Sequence, residues 1–275
     1  RKALRYFAKR QNEDGSWGES NQIALTSLVK LAFLGHCDTS DSVEFGGQSL
    51  LASTFLLDVA ENRIGEVSDL ELALLACALS EMNQMEAGQK GLEITPIVKK
   101  AVEALINRQV AGGWSKGDLS ATAWGYEALR AAQSSELDTA ALDEKTKKVV
   151  THIMLRQKAD EQFLPRNLEE NGAGAFIFLS NQSPKTRSLG GAANGPTDWI
   201  QYDYQSNANS MDAMHWYHLV GAYFLAGGGL WKSWNEFATP MILDAQQADG
   251  EIRFPGTDED VLWTTAQGTL ALELS

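Results

Sequence analysis

The sequence predicts an all-helical fold, an α/α toroid of five to six helical hairpins. Three observations carry that prediction: a helix-ending pattern that recurs, two kinds of helix in alternation, and a length suited to one large core. The pattern first runs from Lys2 to Gln11 and closes on Asn12-Glu13-Asp14-Gly15-Ser16-Trp17. It returns from Lys100 to Gln109 and closes on Ala111-Gly112-Gly113-Trp114. Weaker copies end at Gln157, after Val149, Val150, Ile153 and Met154, and at Gln246, before Asp249-Gly250 and Phe254. A unit of about 48 residues accounts for the spacings if two copies have diverged beyond recognition.

The two halves of each unit differ in a way that assigns them to different layers. Ile97, Val98, Ala101, Val102, Leu105 and Ile106 fall at helical spacing, with Lys99, Lys100, Glu103 and Arg108 between them, so this helix has one wet face. The segments ending at Gln11, Gln157 and Gln246 are read in the same way. The partners, Ile23 to Leu34, Leu70 to Met82, Leu119 to Ala132, Met211 to Ala226 and Val261 to Leu274, are apolar on nearly every side. Such helices must be enclosed, which predicts an outer amphipathic ring around an inner apolar one. An open solenoid, whose helices each keep a polar face, is the alternative. The stretch 160–205 departs from the pattern with Asn171-Gly172-Ala173-Gly174, Gly190-Gly191 and Asn194-Gly195-Pro196. Its short runs Ala175 to Leu179 and Trp199 to Tyr202 read as strands or extended segments of an irregular insertion.

At 275 residues and 44% hydrophobic content the chain can bury its core in a single domain spanning 1–275. With 36 acidic against 23 basic side chains, its net charge of −13 repels nucleic-acid phosphates and anionic membrane surfaces. No run approaches the roughly 18 apolar residues of a membrane span. Cys37 and Cys77 each lie in or at the end of an apolar run and read as two buried thiols. The abrupt opening on a helical pattern and the stop at Ser275 predict a piece of a longer chain, exported if it carried a leader.

The Gln-x-x-x-Gly-x-Trp ending, intact at Gln11 to Trp17 and shortened at Gln109 to Trp114, resembles the repeat of squalene and oxidosqualene cyclases. The stretch Met211 to Tyr217, with Gly227-Gly228, Trp231 to Asn235 and Thr264-Thr265-Ala266, resembles bacterial squalene cyclase-like repeat proteins. The wider superfamily includes the protein prenyltransferase β-subunits. The resemblance implies the toroid and makes the repeat Gln and Trp structural. The residues alone agree: Gly15 permits a tight exit, and a tryptophan can bury its ring while its N–H finds a partner.

Class II cyclases of this superfamily protonate an alkene with the middle acid of Asp-x-Asp-Asp, a carboxylic acid that must sit in a dry cavity. Asp258-Glu259-Asp260-Val261 comes nearest but lacks the last acid, so Asp258 and Asp260 are the candidate catalytic pair. The favoured alternative is an acidic first turn with Thr257 or Asp258 as N-cap. Prenyltransferases hold zinc through Asp, Cys and His. Here His215 and His218 lie three apart on one helix without a third ligand nearby, and no metal or cofactor is predicted. His36 reads as a cationic helix end and His152 as solvent-facing. The toroidal thioester proteins are excluded because Cys-Gly-Glu-Gln is absent, and phosphate-loop, serine-elbow and zinc-protease motifs are absent as well.

An aromatic inner set remains: Trp124, Tyr126, Trp216, Tyr217, Tyr223, Phe224 and Trp263. With Tyr202, Asp203 and His215, the residues Trp124, Trp216 and Trp263 form the candidate ligand site, placed at the toroid end where the turns carrying Trp17, Trp114 and Asp258 gather. The expected function is a non-catalytic binding or interaction domain with an apolar small molecule or a protein as partner. The alternatives are an enzyme or binder acting on an isoprenoid-like molecule and, more weakly, a carbohydrate-active toroid.

Overall fold

The computed structural model describes residues 1–87, 94–135, 137, 139–160, 168–181, 216–254 and 260–274. Among them it is all α, with no strand beyond isolated bridges. The chain divides into two compact units, Arg1–Lys148 and Val149–Ser275.

The first unit contains α1 (Lys2–Ala8), α2 (Gln22–Gly35), α3 (Gly46–Asp58), α4 (Asp69–Glu86), α5 (Thr95–Arg108) and α6 (Leu119–Ser134). It also holds the start of α7 (Thr139–Asp160), within which the division falls. The three apolar helices α2, α4 and α6 pack in a row, α4 lying against both neighbours, while α1, α3 and α5 pack on them. Their burial follows composition: from Ala24 to Leu34 every residue of α2 is buried, whereas α5 buries only Val98, Ala101, Val102 and Leu105. Helix α4 starts on a capping box, in which Ser68 Oγ accepts the Glu71 N–H and the Glu71 carboxylate accepts the Ser68 N–H.

Helix α3 is the element that the sequence pattern does not reveal. It opens on Gly46-Gly47 and carries Ser49 and Ser53, which look like a polar face but are buried. Both hydroxyls belong to an enclosed network around the Lys30–Glu86 ion pair, 2.6 Å apart and sealed from solvent. The Glu86 carboxylate also accepts the backbone N–H of Ser40 at 3.1 Å, the Ser40 hydroxyl at 2.8 Å and the Ser53 hydroxyl at 3.2 Å. The Lys30 ammonium donates to Ser49 Oγ at 2.6 Å. Helix α3 is therefore tied to α2 and α4 by polar contacts as well as by apolar burial, and it runs on into a π-helical turn at Val59–Arg63.

The second unit contains α8 (Leu168–Ser180), α9 (Trp216–Ala226), α10 (Gly228–Ala245) and α11 (Val261–Glu273). Helix α9 contacts α8, α10 and α11, and α10 contacts α11. Here one expectation is corrected: Ala175 to Leu179 is helix, not strand, and Asn171-Gly172-Ala173-Gly174 lies within it. Gly172 serves close packing instead of turning the chain, as does Gly221 of α9. A Cβ at Gly172 would come within 2.6 Å of the Leu219 side chain and 2.9 Å of its Cα, and one at Gly221 would meet the Phe176 ring at 2.8 Å. Trp199 to Tyr202, and the rest of the expected insertion beyond Asn181, lie outside the described residues.

Candidate functional site

Three turns share one construction, each linking an amphipathic helix to the apolar helix that follows. In the first, the Asn12 N–H donates to Ser16 O, Gly15 takes a positive φ of 89°, and the Trp17 N–H donates to Thr26 Oγ1 at 3.1 Å. In the second, the Val110 N–H donates to Gly113 O, Gly112 has φ 89°, and the Trp114 N–H donates to Thr122 Oγ1 at 3.3 Å. In the third, the Gln247 N–H donates to Glu251 O, Gly250 has φ 103°, and the Ile252 N–H donates to Thr265 Oγ1 at 3.0 Å. The glycine permits a left-handed residue and the threonine satisfies an N–H that burial would otherwise orphan.

The tryptophans complete the joint from the other side. Trp17 Nε1 donates to the Phe7 carbonyl and Trp114 Nε1 to the Leu105 carbonyl, each at 2.9 Å, so each indole caps the end of the preceding helix. Gly125 makes room for this: a Cβ there would lie 2.5 Å from the Trp114 ring. Ile252 replaces tryptophan in the third turn, with Gly268 beneath it as the counterpart of Gly125. The glutamines behave less uniformly. Gln11 Nε2 donates to Gly15 O at 3.0 Å, reaching the following turn, and Gln246 Nε2 likewise reaches Gly250 O at 3.4 Å. Gln109 instead donates to Lys145 O on α7 at 3.2 Å. Its turn closes one residue earlier than the first, at Gly113 instead of the position matching Ser16.

Of the candidate site residues, Tyr202, Asp203, His215 and Asp258 lie outside the described residues. Trp124 is buried in the first unit, and Trp216 and Trp263 are buried in the second. Asp260 is exposed and is itself the N-cap of α11: its Oδ1 accepts the Leu262 N–H at 2.9 Å. The cap thus falls on Asp260, not on Thr257 or Asp258, because Asp260 is the last residue before the helical turn begins. Asp118 caps α6 in the same way through the Ala121 N–H.

The remaining readings are adjusted by packing. His218 is buried against the Phe176 ring at 5.2 Å, and His152 is partly buried instead of solvent-facing. Cys77 is buried, but Cys37 is exposed, because it takes a positive φ of 59° just past the end of α2 and its side chain turns outward. Tyr223 stacks on Trp234 with centroids 4.4 Å apart, while Phe224 is exposed and meets Trp231 edge-on. No cluster of three potential metal ligands occurs among the described residues, and among them no helix is long and apolar enough to cross a membrane.

Two features arise from packing between helices. On α4 and α6, Glu81 and Glu127 lie in one electrostatic neighbourhood with Cys77. Burial and then the Glu81 carboxylate push Glu127 up to about 7, with Arg130 opposing. Burial also raises Glu81, and burial reinforced by both carboxylates raises the Cys77 thiol well above its usual range, leaving it a neutral, unreactive group. On α9 and α11, the Trp216 and Trp263 indoles and the Gln267 amide are buried donors without an acceptor. The sequence offers the two tryptophans as candidate lining, but nothing in it marks Gln267 or the lack of acceptors. A separate cleft of about 270 Å³ lies in the first unit between α5 and the start of α7, lined by Val102, Ile106, Leu137 and Leu142.

No family model, curated protein or solved structure matches the chain.

Proposed function

We propose that the chain is a non-catalytic binding domain, an α/α toroid of the squalene cyclase and prenyltransferase type. The observation that supports it best is the state of Asp260, the described member of the candidate catalytic pair. Protonating an alkene requires a carboxylic acid enclosed in a dry site, and Asp260 is open to solvent with its carboxylate engaged by the first turn of α11. What α9 and α11 offer in its place is a set of buried donors, which bind and do not react. The recurring glycine, threonine and indole joint supports the hairpin-ring reading.

Incubation of the chain with squalene, or with geranylgeranyl diphosphate, is expected to return the substrate unchanged. Formation of a cyclised product that disappears in Asp260→Asn would overturn the non-catalytic reading. Ring closure is tested with spin labels on α1 and α11 after Cys37→Ser. A closed ring brings the two helices to neighbour distance, about 10 Å between axes, whereas an open superhelix leaves them far apart.

A further inference from the structure

We infer that α9 and α11 hold a binding site for an uncharged, acceptor-only oxygen group, a carbonyl or ether carried on an apolar body. The inference rests on the reading of the chain as a binding domain and names the ligand chemistry of that site. Three strong donors in the second unit have nothing to donate to: the Trp216 and Trp263 indole N–H groups and the Gln267 amide. All three side chains are more than nine-tenths buried. Proteins leave very few buried donors unpaired, so three on two helices in contact require an explanation. Elsewhere in the same chain the indoles of Trp17 and Trp114 each find a carbonyl at 2.9 Å.

One hydrogen bond joins the two helices that carry the donors. The Gln267 carbonyl oxygen accepts the Tyr217 N–H at 3.3 Å, which pins the amide beside the start of α9 while its N–H2 group has no acceptor. Trp263 precedes Gln267 by four residues on α11 and shares its face. Trp216 precedes the residue that Gln267 holds, and its ring lies on Phe254 with centroids 4.8 Å apart, giving the neighbourhood an aromatic wall.

The donor set selects the ligand. A sugar hydroxyl brings its own donor and would need an acceptor, which the set lacks. A metal ion finds no group of three ligands among the described residues. An anion is disfavoured because α9 and α11 carry no lysine or arginine and the N-cap of α11 is the acid Asp260. An uncharged carbonyl or ether oxygen accepts without donating and leaves its apolar body to the indole and phenyl faces.

The full chain would be titrated with acetophenone, with ethylbenzene as its acceptor-free analogue and with benzoate as its anionic one. Binding is read from the indole N–H resonances in amide-correlated NMR spectra, assigned through Trp216→Phe and Trp263→Phe. Acetophenone is expected to move both resonances saturably, with at least tenfold weaker binding for ethylbenzene and benzoate. Gln267→Glu keeps the acceptor for Tyr217 and, at a pH that ionises the buried carboxyl, removes the donor, so under those conditions it should weaken acetophenone at least tenfold with the fold intact by circular dichroism. Resonances that do not respond, equal binding of ethylbenzene, tighter binding of benzoate or undiminished binding in Gln267→Glu each overturn the inference. If Gln267→Glu fails to fold, the comparison of the three probes on the wild-type chain decides the matter. Conversion of bound acetophenone would sink the non-catalytic reading while leaving the site standing, and absence of binding would sink the site alone.

Discussion

Removing the charge of Glu86 should be far more damaging than removing that of its partner Lys30, although the two form one ion pair. The asymmetry follows from what each would retain. In Lys30→Met the Glu86 carboxylate keeps the Ser40 N–H, the Ser40 hydroxyl and the Ser53 hydroxyl as donors. In Glu86→Gln the ammonium keeps its good bond to Ser49 Oγ and a marginal one to Ser49 O at 3.5 Å, with no counter-charge in a site closed to water. Breaking a buried pair by removing one partner costs about 3–5 kcal/mol, and that range applies to Glu86→Gln. The surviving donors, worth about 1.5 kcal/mol or more each when the acceptor is charged, should hold Lys30→Met to about 1–3 kcal/mol. The double variant Lys30→Met with Glu86→Leu should recover much of the loss, since apolar replacement of a buried pair is often close to neutral.

The assay is urea denaturation of the full chain, followed by far-ultraviolet circular dichroism at pH 7. The pH dependence supplies an independent check. Burial already lowers the Lys30 pKa from 10.5, and Glu86 opposes that effect. Without Glu86 the folded chain sheds this proton before the unfolded chain does, so the stability of Glu86→Gln should rise as pH approaches 10.5. Equal losses in the two single variants, or a loss in Glu86→Gln within about 1 kcal/mol of zero, would refute the reasoning.

Four further outcomes are expected. Thr122→Val should destabilise by about 1–3 kcal/mol in thermal and urea melts, because it orphans the buried Trp114 N–H. Glu127→Gln should flatten the pH profile: a carboxyl raised from 4.5 to about 7 favours the folded state at low pH and is lost as pH climbs through that window, so the variant should be the more stable by about 2 kcal/mol at pH 8 after allowance for partial solvent screening. Gly172→Ala should lose about 1–3 kcal/mol by overpacking, since the new methyl meets the Leu219 backbone as well as its side chain. A thiol reagent should label Cys37 in the native protein and reach Cys77 only on unfolding, and rapid native labelling of both would contradict their placement.

The candidate site was the least legible part. The sequence singled out Trp216 and Trp263 as aromatic lining, and they do lie on the two helices that carry the unsatisfied donors. Gln267, which joins those helices through Tyr217, went unnoticed because a lone glutamine in an apolar run carries no local signal. Its importance lies in what its amide fails to meet, and that depends on a neighbour fifty residues away. The Glu81 and Glu127 pair was hidden for the same reason: each reads as an ordinary polar break in its own helix, and only the packing of α4 on α6 brings them together.

By itself the sequence determined the helical class, the places of α2, α4, α5, α6 and α11 to within a few residues, and the turns at Gly15, Gly112 and Gly250. These features are local. Apolar periodicity, a capping side chain and a glycine at positive φ act within a few residues along the chain, so they can be read in order. The tertiary structure decided that Ser49 and Ser53 of α3 face inward and that Gly172 belongs to a helix. A serine reads as a polar surface until a buried Lys30–Glu86 pair needs its hydroxyl, and a glycine reads as a turn until Leu219 occupies the space where its Cβ would stand. Both outcomes depend on partners distant in sequence, and the physical quantity that decides them is the distance between elements, which no local pattern encodes.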